Sequence, residues 1–127
     1  MKLNKKVISI CLGFLSLPVH ADLNTDQVCR AGIATIMSKS PSIVTVDERK
    51  GDVRYLSYIR QSDGSKWGYK CQVKGFRIHW GSIRNDGSEG RWRTHPADDQ
   101  VVFETGIDTI TVTEGGYNSK TFKNTEL

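Results

Sequence analysis

The chain has 127 residues, the size of one domain. Its formal charge is +4, from 18 basic and 14 acidic residues. Three of those bases, Lys2, Lys5 and Lys6, lie in a segment expected to be removed. Without them 15 basic residues face 14 acidic ones, a net of +1, which leaves no composition-level case for nucleic-acid binding.

That segment comes first in the chain. MKLNKK is basic and lacks acids, Val7 to Leu17 is an apolar run, Pro18 breaks it, and Val19-His20-Ala21 offers small residues at the exit. This order is that of a secretory signal peptide rather than of a buried N-terminal helix. Residues 1–21 are expected to be cleaved between Ala21 and Asp22, leaving one globular domain over residues 22–127. The run is shorter than the ~20 apolar residues a membrane span requires, so no transmembrane segment is expected in the mature chain. Its expected location is the periplasm or the exterior.

Cysteine counting follows from the same cut. Cys11 lies in the leader, and Ile10 before it is too large for a lipoprotein site. Cys29 and Cys71 remain, and two cysteines in an oxidising compartment most simply pair. Closing so long a loop stabilises by roughly 4 kcal/mol in the chain-entropy account. No CxxC or Cys/His spacing points to a metal instead.

The next segment reads as a helix. Asn24, Thr25 and Asp26 are candidate caps, with Gln27 placed to complete a capping box on Asn24. Val28, Cys29, Gly32, Ile33, Ile36 and Met37 then form one apolar stripe at helical spacing. Gly32 on that stripe suggests close approach of another backbone, and Pro41 stops the helix.

After Pro41 the period changes to two. SIVTVDE, DVRYLSYIRQ, KWGYKCQV, FRIHWGSIR, QVVFE, DTITVTE and KTFKN are separated by glycine-bearing turns, the pattern of antiparallel hairpins. Arg91-Trp92-Arg93 adds a short strand with Trp92 inward. No helix-length segment separates the strands, so parallel βαβ units are excluded. The expected fold is α+β: one N-terminal helix on an antiparallel meander of about six to eight short strands, joined by a helix–sheet disulfide. Alternation puts Trp67, Tyr69, Cys71 and Val73 on one face of their strand, and Phe76, Ile78 and Trp80 on one face of the next. These are assigned to the inner face.

Chemistry is sparsely signalled. His79 and His95 are the mature chain's two histidines, and a nuclease-like acid–base pair is conceivable in residue type alone. His95, Asp98 and Asp99 lie close in sequence, but Pro96 between them reads as turn chemistry rather than as a metal site. No motif implies a cofactor. Binding is better supported. Arg54, Arg60, Arg77, His79, Arg91 and Arg93 alternate onto what reads as a basic outer sheet face. Tyr58 is the aromatic expected to be exposed among them, Trp92 joins the candidate binding residues although its strand turns it inward, and His95 lies beside them. Such a face suits an anionic envelope component or an acidic protein. The expected role is therefore a small exported binding module, non-enzymatic, acting as an inhibitor or assembly accessory. A small hydrolase using His79 and His95, and an envelope protein that self-associates through a strand edge, are the alternatives.

Overall fold

The computed structural model describes residues 23–127. The leader, residues 1–21, and its expected cleavage point between Ala21 and Asp22 lie outside the described residues. Helix α1, Thr25–Met37, is followed by a 3-10 turn, Pro41–Ile43. Seven strands then follow: β1 Thr45–Lys50, β2 Val53–Ile59, β3 Lys66–Lys74, β4 Arg77–Ile83, β5 Val101–Thr105, β6 Thr109–Glu114 and β7 Asn118–Lys123. They pair antiparallel in simple sequence order, a seven-stranded meander. The α+β expectation and the strand number both hold.

The helix begins where its sequence says. Asn24 accepts a hydrogen bond from the Gln27 amide at 2.9 Å, and Gln27 Oε1 accepts one from the Asn24 amide at 2.9 Å, so the capping box is complete. It ends before Pro41 acts: Ser38 takes a left-handed conformation, φ 55°, and caps the last turn. Pro41 instead opens the short 3-10 turn.

The helix fills the concave side of the sheet. It packs on β1, β2 and β3 from one half and on β6 and β7 from the other. Ile33, Leu56, Ile110, Val44 and Val112 are the largest fully buried side chains between them. Cys29 and Cys71 are joined, with Cα atoms 5.9 Å apart, and neither is accessible. Gly32 does allow a close approach, though of a side chain and not of a backbone. A Cβ there would lie 2.9 Å from Ile78 Cδ1 and 3.1 Å from Ile78 Cγ2, so the absent side chain seats Ile78 against the helix.

The sheet curls far enough that its two ends meet the same arginine. Arg30 donates from Nε to the Val44 carbonyl at 2.9 Å and from Nη2 to the Pro41 carbonyl at 2.6 Å. From Nη1 it donates to Leu127 O at 2.8 Å. One guanidinium thus holds the entry to β1 and the segment after β7. The weakest joint is between β4 and β5, where one residue pair, Arg77 with Val102, is in register. One further bond runs from the Phe103 amide to the Phe76 carbonyl at 3.0 Å.

The pairing decides which face of β2 is inner, and here two expectations fail. Arg54 stands opposite Cys71, and Tyr58 opposite Trp67, so Arg54, Leu56 and Tyr58 face the helix. Tyr58 is 6% exposed. Arg54 is drawn to the helix start, where its Nε donates to Asp26 Oδ1 at 2.6 Å and Arg49 also pairs with Asp26. Both faces of β2 hold apolar residues, so alternation defined two sets without saying which was inside. Arg91-Trp92-Arg93 is likewise no strand. It is an irregular segment hung on β4 by the Gly90 amide to Ser82 O at 2.8 Å and the Arg93 amide to Trp80 O at 2.7 Å.

Removing the bridge, as in Cys29→Ala with Cys71→Ala, is expected to lower unfolding stability by about 2–4 kcal/mol in a urea titration. The Asp26 cluster gives a pH dependence. Hydrogen bonding from Arg49, then from Arg54, holds the Asp26 carboxyl below its ordinary value of 3.8, against the opposing effect of burial. A carboxyl with a depressed folded pKa stabilises fully above its unfolded pKa and progressively less as pH falls below it. The stability difference between wild type and Asp26→Asn, about 1 kcal/mol at pH 7, should therefore shrink between roughly pH 4 and pH 2. An unchanged difference across that range would show that the ion cluster does not stabilise the fold.

Candidate functional site

The helix covers part of the inner face of the sheet. Asp26 at its start meets Arg54 at the start of β2, and Lys39, just past its end, lies over the Tyr58 ring at 5.3 Å. So α1 runs along β2. Beside the end of the helix a cleft of about 640 Å³ opens, bordered by Trp67 at the start of β3.

Its floor and walls are aromatic. Tyr69 is buried at the base, with its ring centroid 6.0 Å from that of Tyr58 and 6.3 Å from that of Trp80. Burial pushes the Tyr69 hydroxyl above its ordinary pKa. Trp67 is 41% exposed, and Met37 closes the helix side. Two guanidiniums lie on the indoles: Arg60 is 4.8 Å from the Trp67 ring centroid and Arg93 is 5.2 Å from that of Trp80. Such stacking holds a guanidinium plane in place while leaving its N–H edge free to donate.

Four cations, Arg60, Lys66, Arg84 and Arg93, line the cleft and no acid does. Their compensation differs. Arg60 pairs with Asp63, whose carboxyl it holds far below the usual range. Lys66 is 3.9 Å from Asp47. Arg84 donates to Ser88 Oγ at 3.2 Å and to Glu89 O at 3.1 Å, neither of them a charge. Among the described residues Arg93 has no hydrogen-bonded or ion-paired partner for its side chain.

The segment that delivers Arg84 and Arg93 is pinned from the opposite face of the sheet. Lys70, 4% exposed, points away from the helix. Its Nζ donates to Glu89 Oε1 at 3.1 Å and lies 4.3 Å from the Trp92 ring centroid. The Tyr55 hydroxyl donates to Glu89 Oε2 at 3.0 Å. The Lys70 bond, and after it the Tyr55 bond, lower the Glu89 pKa. Gly81 lies beneath this crossing, where a Cβ would be 2.6 Å from Arg91 O. Successive residues therefore straddle the edge of β4: Trp92 on the outer face, Arg93 over Trp80 on the inner one.

The nine residues expected to form one basic face thus divide. Arg60 and Arg93 border the cleft. Arg54 and Tyr58 are on the helix face and engaged in the fold. Arg77 and His79 lie on the opposite face, facing Lys74 and Gln72 across the β3–β4 pair. Trp92 packs on Lys70, half-buried. Arg91 is held by Asp98 through bonds of 2.7 and 2.8 Å, which push the Asp98 carboxyl down to about 2. His95 is folded into its own turn, its Nδ1 accepting from the Ala97 amide at 3.0 Å. Neither histidine borders the cleft. Conversely, Trp67, Tyr69 and Trp80 are assigned to the core by alternation, and Arg84 carries no sequence signal. Their meeting depends on where the helix stops.

Among the described residues no group of three or more His, Cys, Asp or Glu side chains could hold a metal ion. No helix there is long and apolar enough to cross a membrane. No family model, curated protein or solved structure matches the chain.

Glu89→Ala leaves the buried Lys70 ammonium unpaired and should cost about 2 kcal/mol in urea unfolding. Adding Lys70→Met removes the stranded charge and should restore most of that loss. If the double variant is no more stable than Glu89→Ala alone, the Lys70–Glu89 pair is not what pins the segment.

Proposed function

We propose that this protein is a small exported binding module that engages an anionic envelope component or protein partner through the cleft between Trp67 and Trp80. Arg93 is the observation that carries the proposal. Its guanidinium is stacked on Trp80, in a cleft without acids, and has no partner within the described residues. Asp98 acts on it only at a distance, so its N–H edge is held in place and left unbonded, which invites an anionic partner. The aromatic surface around it supplies the apolar contact that anchors interfaces.

Export is part of the same proposal. The basic, apolar and small-residue order of residues 1–21 supports a leader cleaved before Asp22, and the Cys29–Cys71 bond suits an oxidising compartment such as the periplasm or the exterior. The hydrolase alternative has less support, because His95 is taken up by its own turn and His79 lies on the outer face. Self-association through a strand edge is opposed by the bulge in β1 between Val46 and Glu48 and by Lys120 and Lys123 on β7, devices that discourage edge pairing.

Titration of the oxidised protein with dextran sulfate, read by tryptophan fluorescence, tests the proposal. Arg60→Glu with Arg93→Glu should weaken binding by at least about tenfold. Arg77→Glu, on the opposite face, should change it little. Equal weakening by both would mean that net charge alone is sensed and would sink the cleft as the site.

A further inference from the structure

Charge is divided along the chain. Residues 23–93 carry 13 basic and 7 acidic side chains, and residues 94–127 carry 2 basic and 6 acidic. The first stretch supplies α1 and β1 to β4, the second β5 to β7, so one part of the sheet is basic and the other acidic. The cleft lies in the basic part. In the acidic part the β5–β6 hairpin ends in a two-residue turn, Ile107-Asp108, closed by the Gly106 amide on the Thr109 carbonyl at 2.9 Å. The Asn124 amide braces it by donating to the Asp108 carbonyl at 2.7 Å. Ile107 is 74% exposed, more than any other large apolar side chain among the described residues. Turn chemistry favours Gly, Asn, Asp and Ser at such positions and gives no reason for an isoleucine. Asp108 and nearby Glu104 are exposed, and among the described residues neither carboxylate has a hydrogen-bonded or ion-paired partner. Lys123, opposite Thr109 in β7, pairs with neither. Resting on the anion-binding reading of the cleft, we propose that the cleft of one copy takes the Ile107-Asp108 turn of a second copy of this chain. Asp108 would meet the Arg93 guanidinium, and Ile107 the apolar wall beside Met37.

The cleft asks for one carboxylate. Each of its cations has an acid near it: Asp63 for Arg60, Asp47 for Lys66, Asp86 for Arg84, and Asp98, bonded to Arg91, at a distance from Arg93. A multiply charged ligand is therefore not needed. What stays open is the N–H edge of Arg93, whose plane the Trp80 ring holds, and such a fork takes one carboxylate in a bidentate pair. Arg60 and Arg93 already lie on the Trp67 and Trp80 rings. An aliphatic side chain, seated at the ring edges and beside Met37, therefore fits better than a flat ring. A volume of about 640 Å³ is within the roughly 300–1,000 Å³ of clefts that bury a small ligand, and two turn residues are of that size.

Position makes the contact head-to-tail. Trp67 near the start of β3 and Ile83 at the end of β4 mark the cleft end of the sheet. Arg77, at the other end of β4, pairs with Val102, and β5 runs on from there to Thr105, away from the cleft. Turn and cleft thus stand at opposite ends of the molecule. No copy can fill its own cleft, and two joined copies leave one cleft and one turn free. Contacts of this kind build rings or chains. No strand edge is used, so the β1 bulge and the β7 lysines do not oppose it.

Sedimentation velocity of the oxidised protein, over concentrations up to about 1 mM, tests the proposal. The mean mass should rise past that of a dimer. Arg93→Ala and Asp108→Ala should each weaken association by at least about tenfold. Their equimolar mixture should form a dimer and nothing larger, because one intact turn then meets one intact cleft. Thermal melts of both variants separate lost contact from lost fold. Loss in both variants without a dimer in the mixture would overturn the proposal. So would association that either variant leaves unchanged, which would place the contact elsewhere on the surface. A wild type that stays monomeric would overturn it too, and dextran sulfate then separates the two readings. Binding that still depends on Arg60 and Arg93 leaves the anion-binding cleft standing with a foreign partner, and its loss removes the reading beneath.

Discussion

A single 13-residue helix has to fill the concave side of a seven-stranded sheet, and the rest of the structure depends on how it is fixed there. A meander of this length exposes an apolar face that no second sheet covers, so the two halves must curl onto one partner. Three contacts set the position of that partner along its length. Asp26 at its first turn meets Arg49 and Arg54, Cys29 is bonded to Cys71, and Gly32 admits the Ile78 side chain. Arg30 then uses the helix as a post from which to hold the entry to β1 and the segment after β7. The near-break between β4 and β5 is tolerable because the helix spans it and packs on both sides.

The same placement produces the cleft. Anchoring the helix through its first turns fixes where its last turn falls, and Met37 there forms one side of the cleft that Trp67 borders. The aromatic row Tyr58–Tyr69–Trp80 therefore passes from core to surface within one sheet face: Tyr58 lies under the helix, Tyr69 at the boundary and Trp80 beyond it. A core-forming pattern becomes a binding surface where its cover ends. The arginines arrive by a different route. They come from the irregular excursion after β4, whose course is set by Lys70, Glu89 and Trp92 on the other face of the sheet. The polar pin on one side of β4 thus determines what stands on the other. Lys70 is buried at a cost in desolvation, which its pairing with Glu89 and its contact with the Trp92 ring offset.

Most of the fold was legible because it is written in local chemistry. Asn24 and Gln27 state the helix start, glycine-bearing turns state the hairpins, and two cysteines in a chain with an export-like leader state the bridge. The faces of β3 and β4 were legible because one face of each is plainly more apolar. The faces of β2 were not, since Leu56 and Tyr58 alternate with Val53, Tyr55 and Ile59, and only register against Cys71 separates them. The site was legible in part. Arginines interleaved with aromatics suggested an anion-binding surface, and Arg60 and Arg93 do border one. Arg54 had been claimed by Asp26, a contact between residues 28 positions apart.

The sequence by itself determined the class of this protein: one capped helix, an antiparallel meander and a covalent bridge between them. Those properties follow from periodicity, turn chemistry and residue counts, each of which acts over a few residues or over none. The tertiary structure alone decided where the helix ends over the sheet, which face of β2 is covered, and that Arg84 and Arg93 converge beside Trp80. These are consequences of relative length and register between segments far apart in the chain, and no local pattern records them.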